Sequence, residues 1–261
     1  MLFVLRWRIV ASLFAAIILP GLAWSAEIPM VAASADMALA LKEISNSFTR
    51  QTTLKVNIVL GASDTLAQQI NDGVATELFL SADEAAVTSL RQRGKAIDEG
   101  VIYGIGRIAL FDPTKKKGQV ALPNLAALKE ALEQGKIKRI AISMPERCPY
   151  GRAAREALQN ADIWNSLGDK LIIADDAAQA AELAFSGKVD AAILPLSLVI
   201  SPLAKSRGAF FVIDVKAHRS LKQRMVLVAG AGSTAKAFYN YMQAPVAREA
   251  LRRYGYTFPM R

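Results

Sequence analysis

The segment IPMVAASADMALALKEISNSF, residues 28–48, decides the fold class. The apolar run over residues 28–33 predicts a buried strand. Met37, Leu41, Ile44 and Phe48 follow at spacings that place them on one face of a helix. A strand followed at once by an amphipathic helix, with only small and polar residues between them, is the building unit of an α/β protein.

The same unit recurs along the chain. Further strands are predicted at 56–60, 77–80, 103–111, 139–143, 171–174, 191–194 and 225–229, and helices at 65–72, 84–93, 125–134, from 151, 177–185, 234–242 and 246–254, with Gly255 as a C-cap. This alternation predicts mainly parallel sheets flanked by helices. We predict two lobes with a cleft between them: lobe 1 from 26–108 and 226–261, and lobe 2 from 109–225.

The first residues have the layout of a secretory signal. Arg6 and Arg8 precede an uncharged stretch over 9–26, and Pro20 breaks its apolar run. Ala23 and Ser25 fit the small-x-small rule for cleavage after Ser25. Residues 1–25 are therefore predicted to be a signal peptide, and the mature protein is predicted to be periplasmic. An uncleaved membrane anchor is the alternative.

Composition excludes several functions. Cys148 is the only cysteine and His218 the only histidine, so neither an internal disulfide nor a zinc site of ordinary type is expected. A Cys-His hydrolase is disfavoured because no third group orients the pair. We expect Cys148 to be packed and His218 to lie at the surface. The net charge of +9 suits an anionic ligand, and no interleaving of basic and aromatic residues indicates nucleic-acid binding.

Four strand-to-helix junctions are candidate ligand contacts. They begin at Ala33, Gly61, Pro149 and Asp175. In open α/β sheets the ligand crevice lies beyond the carboxyl ends of the strands, and a helix N-terminus there offers free N–H groups to an anion. Each junction taken alone is better explained by helix capping, and three aspartates are expected to be caps: Asp36, Asp64 and Asp176. Asp36 is also expected to point away from the cleft.

Several stretches together resemble a known family. The chain resembles the periplasmic molybdate-binding proteins of ABC importers over essentially its whole mature length. The matching stretches are Val31–Ser34, Gly61–Ile70, Glu77–Glu84, Tyr103–Leu110, Pro149–Leu158, Ala235–Met242 and Arg253–Tyr256.

The resemblance implies a periplasmic binding protein type II fold, with the ligand held between two lobes. It implies capture of molybdate or tungstate without a cofactor, delivery to the membrane permease of an ABC importer, and no enzymatic activity. The chain is expected to be a monomer. By motif, Ser34 and Ser63 resemble the hydroxyl ligands of lobe 1, and Tyr150 and Ala177 resemble the residues that donate backbone N–H groups from lobe 2. Supporting positions are Ala35, Asp36, Ala62, Gly151 and Pro195.

The chain departs from the family pattern at two positions. Pro195 stands where many relatives place a tyrosine hydroxyl, and proline cannot donate a hydrogen bond. Asp36 stands where related sequences have a neutral side chain, and its charge would repel a dianion. The residues alone leave other ligands open: sulfate, phosphate, ferric iron or an organic acid, as well as a sensor that binds an oxyanion without feeding transport.

Overall fold

Two five-stranded mixed sheets, each covered by helices, form two lobes. The computed structural model describes residues 28–113 and 122–259, so the predicted signal peptide lies outside the described residues. No helix within the described ranges is long and apolar enough to cross a membrane.

The chain begins in lobe 1. β1 (Met30–Ser34) runs into a short 3-10 turn (Ala35–Met37) and α1 (Ala38–Thr52). The segment then continues through β2 (Asn57–Gly61), α2 (Ser63–Asn71), β3 (Leu78–Ser81), α3 (Ala85–Gln92) and β4 (Val101–Gly106). β1 pairs in parallel with both β2 and β3, as the strand-helix alternation predicts.

Lobe 2 follows from β5 (Ile108–Asp112). Its elements are α4 (Leu125–Glu133), β6 (Ile140–Ser143), α5 (Pro149–Asn160), β7 (Leu171–Ala174), α6 (Ala177–Phe185), β8 (Ala191–Pro195), α7 (Leu196–Val199), α8 (Pro202–Arg207) and β9 (Ala209–Val212). The chain returns to lobe 1 in β10 (Leu221–Leu227), α9 (Ser233–Gln243) and α10 (Pro245–Arg253).

The chain leaves lobe 1 after β4 and returns to it in β10, and these two strands are neighbours in the same sheet. The sheet orders are β2-β1-β3-β10-β4 and β7-β6-β8-β5-β9, so the strand predicted over 103–111 is two strands in different sheets, separated at Arg107. β10 is antiparallel to both β3 and β4. The predicted return to lobe 1 after residue 225 falls inside β10, because pairing with β4 already begins at Leu221.

Helices pack on both faces of each sheet, although the edge strand β2 stays largely exposed. In lobe 1, α1, α9 and α10 cover one face, where Phe48 and Phe238 meet edge to face with ring centroids 5.0 Å apart. Leu66, Phe79 and Leu90 form the core under α2 and α3. In lobe 2, alanines of α6 line its contact with the sheet, and their small size lets the helix pack closely against it.

The structure confirms the α/β class, the two lobes and most of the predicted elements. β9, α7 and α8 were not predicted. Gly255 has the left-handed φ of +80° expected of a helix C-cap glycine, and the N–H of Tyr256 bonds to the carbonyl of Leu251.

Candidate functional site

The four predicted junctions lie at the facing ends of the two sheets. Ser34 ends β1 and Ser63 begins α2 in lobe 1, while Tyr150 and Ala177 lie in the first turns of α5 and α6 in lobe 2. All four residues are at most 2% exposed. Burial of all four junctions shows that the lobes are closed over this region.

Direct contacts join the junctions of opposite lobes. Ala35 of lobe 1 belongs to the same apolar cluster as Ala177 of lobe 2, and Ala62 shares another cluster with Tyr150. The N–H of Asp64 donates to the carbonyl of Arg147 across the cleft, at 3.3 Å. The structure therefore brings the predicted site residues of both lobes together.

The junctions supply neutral hydrogen-bond donors. Ser63 Oγ accepts from the N–H of Ala82 at 3.0 Å, which leaves the serine O–H group able to donate elsewhere. The N–H groups of Tyr150 and Ala177 lie in first helical turns, where no intrahelical carbonyl reaches them. Together with the helix dipoles, these groups suit a small anion.

Gly151 keeps the first turn of α5 close to the strand before it. A Cβ at this position would lie 2.8 Å from the carbonyl carbon of Ser143 and 2.9 Å from that of Met144, closer than a side chain tolerates. Glycine is therefore required for the helix to begin at this depth in the cleft.

The expectation that Asp36 caps a helix and points away from the cleft is wrong. The residue is fully buried, and its Oδ2 accepts hydrogen bonds from Tyr150 Oη at 2.9 Å, Gln223 Nε2 at 2.9 Å and Tyr256 Oη at 2.5 Å. These partners are 114, 187 and 220 residues away in the sequence. Tertiary contacts therefore override the local capping preference of aspartate.

Burial dominates the electrostatics of this carboxyl group. Desolvation raises the pKa of Asp36 above its ordinary value of 3.8, and the nearby side-chain donors of Ser34, Tyr256, Gln223 and Tyr150 oppose that rise. The pKa values of Tyr150 and Tyr256 are raised well above 10.0, first by burial and then by the nearby Asp36, so both hydroxyls remain protonated donors.

Pro195 supplies no donor, and the hydroxyl of nearby Ser197 bonds to the protein backbone. Pro195 is buried at the end of β8, where it pairs with Ile108. Two residues later, Ser197 Oγ donates to the backbone carbonyl of Asp36 at 2.8 Å. A hydroxyl of lobe 2 therefore does reach lobe 1, but it contacts the protein backbone.

An ion-pair clasp joins the lobes beside the buried junctions. We define the clasp as Arg152 of α5 with Asp64 of α2 and Asp83 of the β3–α3 connection. Arg152 Nη1 is 3.0 Å from Asp64 Oδ2, and Arg152 Nη2 pairs with Asp83 Oδ2. The guanidinium is 30% exposed. An open groove of about 520 Å³ runs between the lobes here and is lined by all three clasp residues, but by none of the four predicted ligand residues.

The remaining single-residue expectations have mixed outcomes. Asp176 caps α6, as predicted, by accepting from the N–H groups of Ala178 and Gln179. Asp64 is not a cap, since it pairs with Arg152. Cys148 is buried, as predicted, and burial raises its pKa to about 11. His218 is only 7% exposed, so its predicted surface position is wrong; its Nδ1 lies 2.7 Å from the Arg219 carbonyl oxygen.

Residues missed by the sequence analysis are Gln223, Tyr256, Ser197 and Arg152. Arg152 and Tyr256 lie inside stretches that carry the family resemblance, which was the available signal. Nothing local marks Gln223 or Ser197. Within the described ranges, no group of three or more His, Cys, Asp or Glu residues is arranged to hold a metal ion.

A two-lobed α/β fold with helix N-termini converging in a closed cleft defines a solute-binding protein of the type that closes around its ligand. Residues 29–257 match the family of bacterial extracellular solute-binding proteins, and the chain belongs to that family. The assignment confirms the prediction of a binding protein and not an enzyme.

Similar proteins with assigned ligands cover most of the chain. The molybdate-binding protein ModA of Rhodobacter capsulatus is 31% identical over 232 residues, with 87% of each chain covered. ModA of Escherichia coli strain K12 is 30% identical over 234 residues, covering 87% of this chain and 88% of the relative.

Solved structures show the same architecture. The periplasmic molybdate-binding protein of Azotobacter vinelandii superposes with a TM-score of 0.81 at 26% identity, covering 89% of this chain and 100% of the other. The sulfate-binding protein SubI of Mycobacterium tuberculosis has a TM-score of 0.71 at 14% identity, covering 87% of this chain and 85% of the other. At this identity the similarity shows a shared fold and nothing about the ligand.

Proposed function

We propose that this protein captures molybdate or tungstate in the closed cleft and delivers it to the permease of an ABC importer. The observation that carries the proposal is the convergence of four buried residues with neutral donor groups, two from each lobe, around the cleft. The similarity to ModA proteins, at 30–31% identity over most of the chain, supports the choice of ligand.

The proposed ligand contacts are the hydroxyls of Ser34 and Ser63 and the backbone N–H groups of Tyr150 and Ala177. A doubly charged tetrahedral oxyanion accepts several hydrogen bonds, each contributing about 1.5–3 kcal/mol when one partner is ionised. Gly151 keeps the first turn of α5 close to the preceding strand, and the small residues Ala35 and Ala62 lie in the apolar clusters between the lobes. Neutral donors bind the anion without a fixed buried counter-charge, whose desolvation would be costly.

The choice among oxyanions depends on size. Molybdate, tungstate and sulfate share charge and shape, so a rigid set of donors discriminates by the distance between them. A closed cleft lined by main-chain groups is well suited to this, because backbone donors cannot be repositioned by a simple change of side-chain rotamer.

The same proposal covers location and partners. We propose export through a signal peptide at residues 1–25 and a monomeric periplasmic form. Both lobes are proposed to dock on the permease. The proposed lobe bounds are near 26–108 and 226–261 for lobe 1 and near 109–225 for lobe 2. N-terminal sequencing of protein recovered from periplasmic extracts tests the cleavage site.

An oxyanion panel on the purified periplasmic protein tests the ligand. Binding only to the folded state raises thermal stability by mass action. We expect micromolar molybdate or tungstate to raise the melting temperature, and millimolar sulfate or phosphate to have little effect. Stabilisation by sulfate at the same concentration as molybdate would contradict the proposal.

A further inference from the structure

The contacts of Asp36 link the two lobes through one side chain. Asp36 belongs to lobe 1, where Gln223 and Tyr256 also lie, whereas Tyr150 belongs to lobe 2. Of the three hydrogen bonds to Asp36 Oδ2, the one from Tyr150 is the one that crosses the cleft.

The Tyr150 hydroxyl is held on two sides. It donates to Asp36 and accepts from Gln223 Nε2 at 2.7 Å. Gly106, the last residue of β4, leaves the necessary space: a Cβ there would lie 2.8 Å from Gln223 Nε2 and 3.0 Å from Tyr150 Cζ. The absence of a side chain at Gly106 therefore leaves the space that the Tyr150 ring and the Gln223 amide occupy.

Tyr150 has two ends with different tasks. Its backbone N–H is a proposed anion contact, and its hydroxyl reaches the buried carboxylate. We propose that Asp36 is a positioning residue: its Oδ2 receives the Tyr150 hydroxyl when the lobes close, which latches the closed form and fixes the first turn of α5 on the bound anion. This inference rests on the proposed function and adds to it the residue that holds the cleft shut.

The latch depends on the position of one carboxyl oxygen. All three donors converge on Oδ2, while Oδ1 forms no hydrogen bond with any described residue. An asparagine could place its carbonyl oxygen at the Oδ2 position. Asn is therefore expected to replace Asp36, and Ala is not.

Dissociation kinetics test the latch. The rate of molybdate release is measured by stopped-flow fluorescence for the wild type, Asp36→Ala, Asp36→Asn and Tyr150→Phe. We expect release about ten- to hundredfold faster in Asp36→Ala and Tyr150→Phe, which corresponds to about 1.4–2.8 kcal/mol. Both variants leave buried polar groups without their partners, and such groups are costly to leave unpaired. Asp36→Asn keeps an acceptor oxygen, and we expect its release rate to stay within about threefold of wild type.

Tyr103→Phe is the matched control. The Tyr103 hydroxyl is equally buried and donates to the carbonyl of Ser81 at 3.1 Å, but both residues lie in lobe 1. Its removal is expected to lower stability without speeding release. Equal release rates in Tyr150→Phe and Tyr103→Phe would overturn the latch, and so would an Asp36→Asn variant as fast as Asp36→Ala. The two Phe variants keep the test decisive if Asp36→Ala does not fold.

Failure of the ligand assignment gives a different result. If the wild type binds neither molybdate nor tungstate, the proposed function is refuted. Small-angle scattering of the ligand-free chain then decides the latch: we expect a larger radius of gyration in Tyr150→Phe than in Tyr103→Phe, and equal values would overturn it.

Discussion

Replacing Arg152 by glutamine should open the clasp and shorten the lifetime of the bound state. Arg152 contacts two carboxylates of the opposite lobe, and its side chain is 30% exposed, so the pairs are neither fully solvated nor fully buried. Exposed ion pairs contribute about 0.2–1 kcal/mol, and hydrogen bonds to charged groups about 1.5–3 kcal/mol. Taking about 1–2 kcal/mol for the clasp, we expect affinity for molybdate to fall about five- to thirtyfold.

Arg155→Gln provides the matched control for this change. Arg155 lies on the same helix and pairs at 3.2 Å with Glu146 of the same lobe, so its loss changes the net charge equally without touching the clasp. Calorimetry gives the affinities, and stopped-flow kinetics separates the rates. A clasp acts on dissociation, whereas a loss of long-range attraction slows association. Equal affinities in the two variants, or a change confined to association, would refute the clasp.

Three further predictions concern the cleft. Ser63→Ala removes a hydroxyl already oriented by the Ala82 N–H, so calorimetry should show molybdate affinity at least about tenfold weaker. Ser45→Ala, a change at a half-buried serine of α1, should bind like wild type. Gly106→Ala should lower the melting temperature and weaken binding, because its Cβ would lie 3.0 Å from Tyr150 Cζ. An unchanged melting temperature and affinity would show that the Tyr150 ring does not depend on the space at Gly106. Since burial raises the pKa of Asp36 in the folded state, its stabilising contribution is complete below pH 3.8 and declines as pH rises through the folded-state pKa. The melting temperature of Asp36→Asn relative to wild type should therefore increase with pH, and a pH-independent difference would contradict that sign.

The repeating pattern of strands and helices predicted most of the fold. It succeeded because apolar periodicity reports directly on which face of each element is buried. It failed where the chain passes from one sheet to the other, because nothing in the local sequence marks that change. At Arg107 the change of sheet takes a single residue within one apolar run. The short helices α7 and α8 contain too few turns to show a periodicity, and Pro202 is the first residue of α8.

The candidate site was predictable only in part. The junction residues could be identified because a helix N-terminus after a strand has a recognisable sequence and a known chemistry. Asp36 could not, because a cap and a buried acceptor look alike in sequence. A buried acceptor differs from a cap in the hydrogen bonds that it receives from distant segments, here from Tyr150 and Tyr256. The hydrogen bond from Tyr150 depends on the closed packing of both lobes.

The most direct test of the account is a crystal structure of the purified protein with tungstate, whose anomalous scattering locates the metal atom without ambiguity. We expect one tungstate between the lobes, with oxygen atoms within hydrogen-bonding distance of the Ser34 and Ser63 hydroxyls and of the Tyr150 and Ala177 N–H groups. Tungstate bound only outside the cleft, or a cleft with those four groups directed away from the anion, would contradict it.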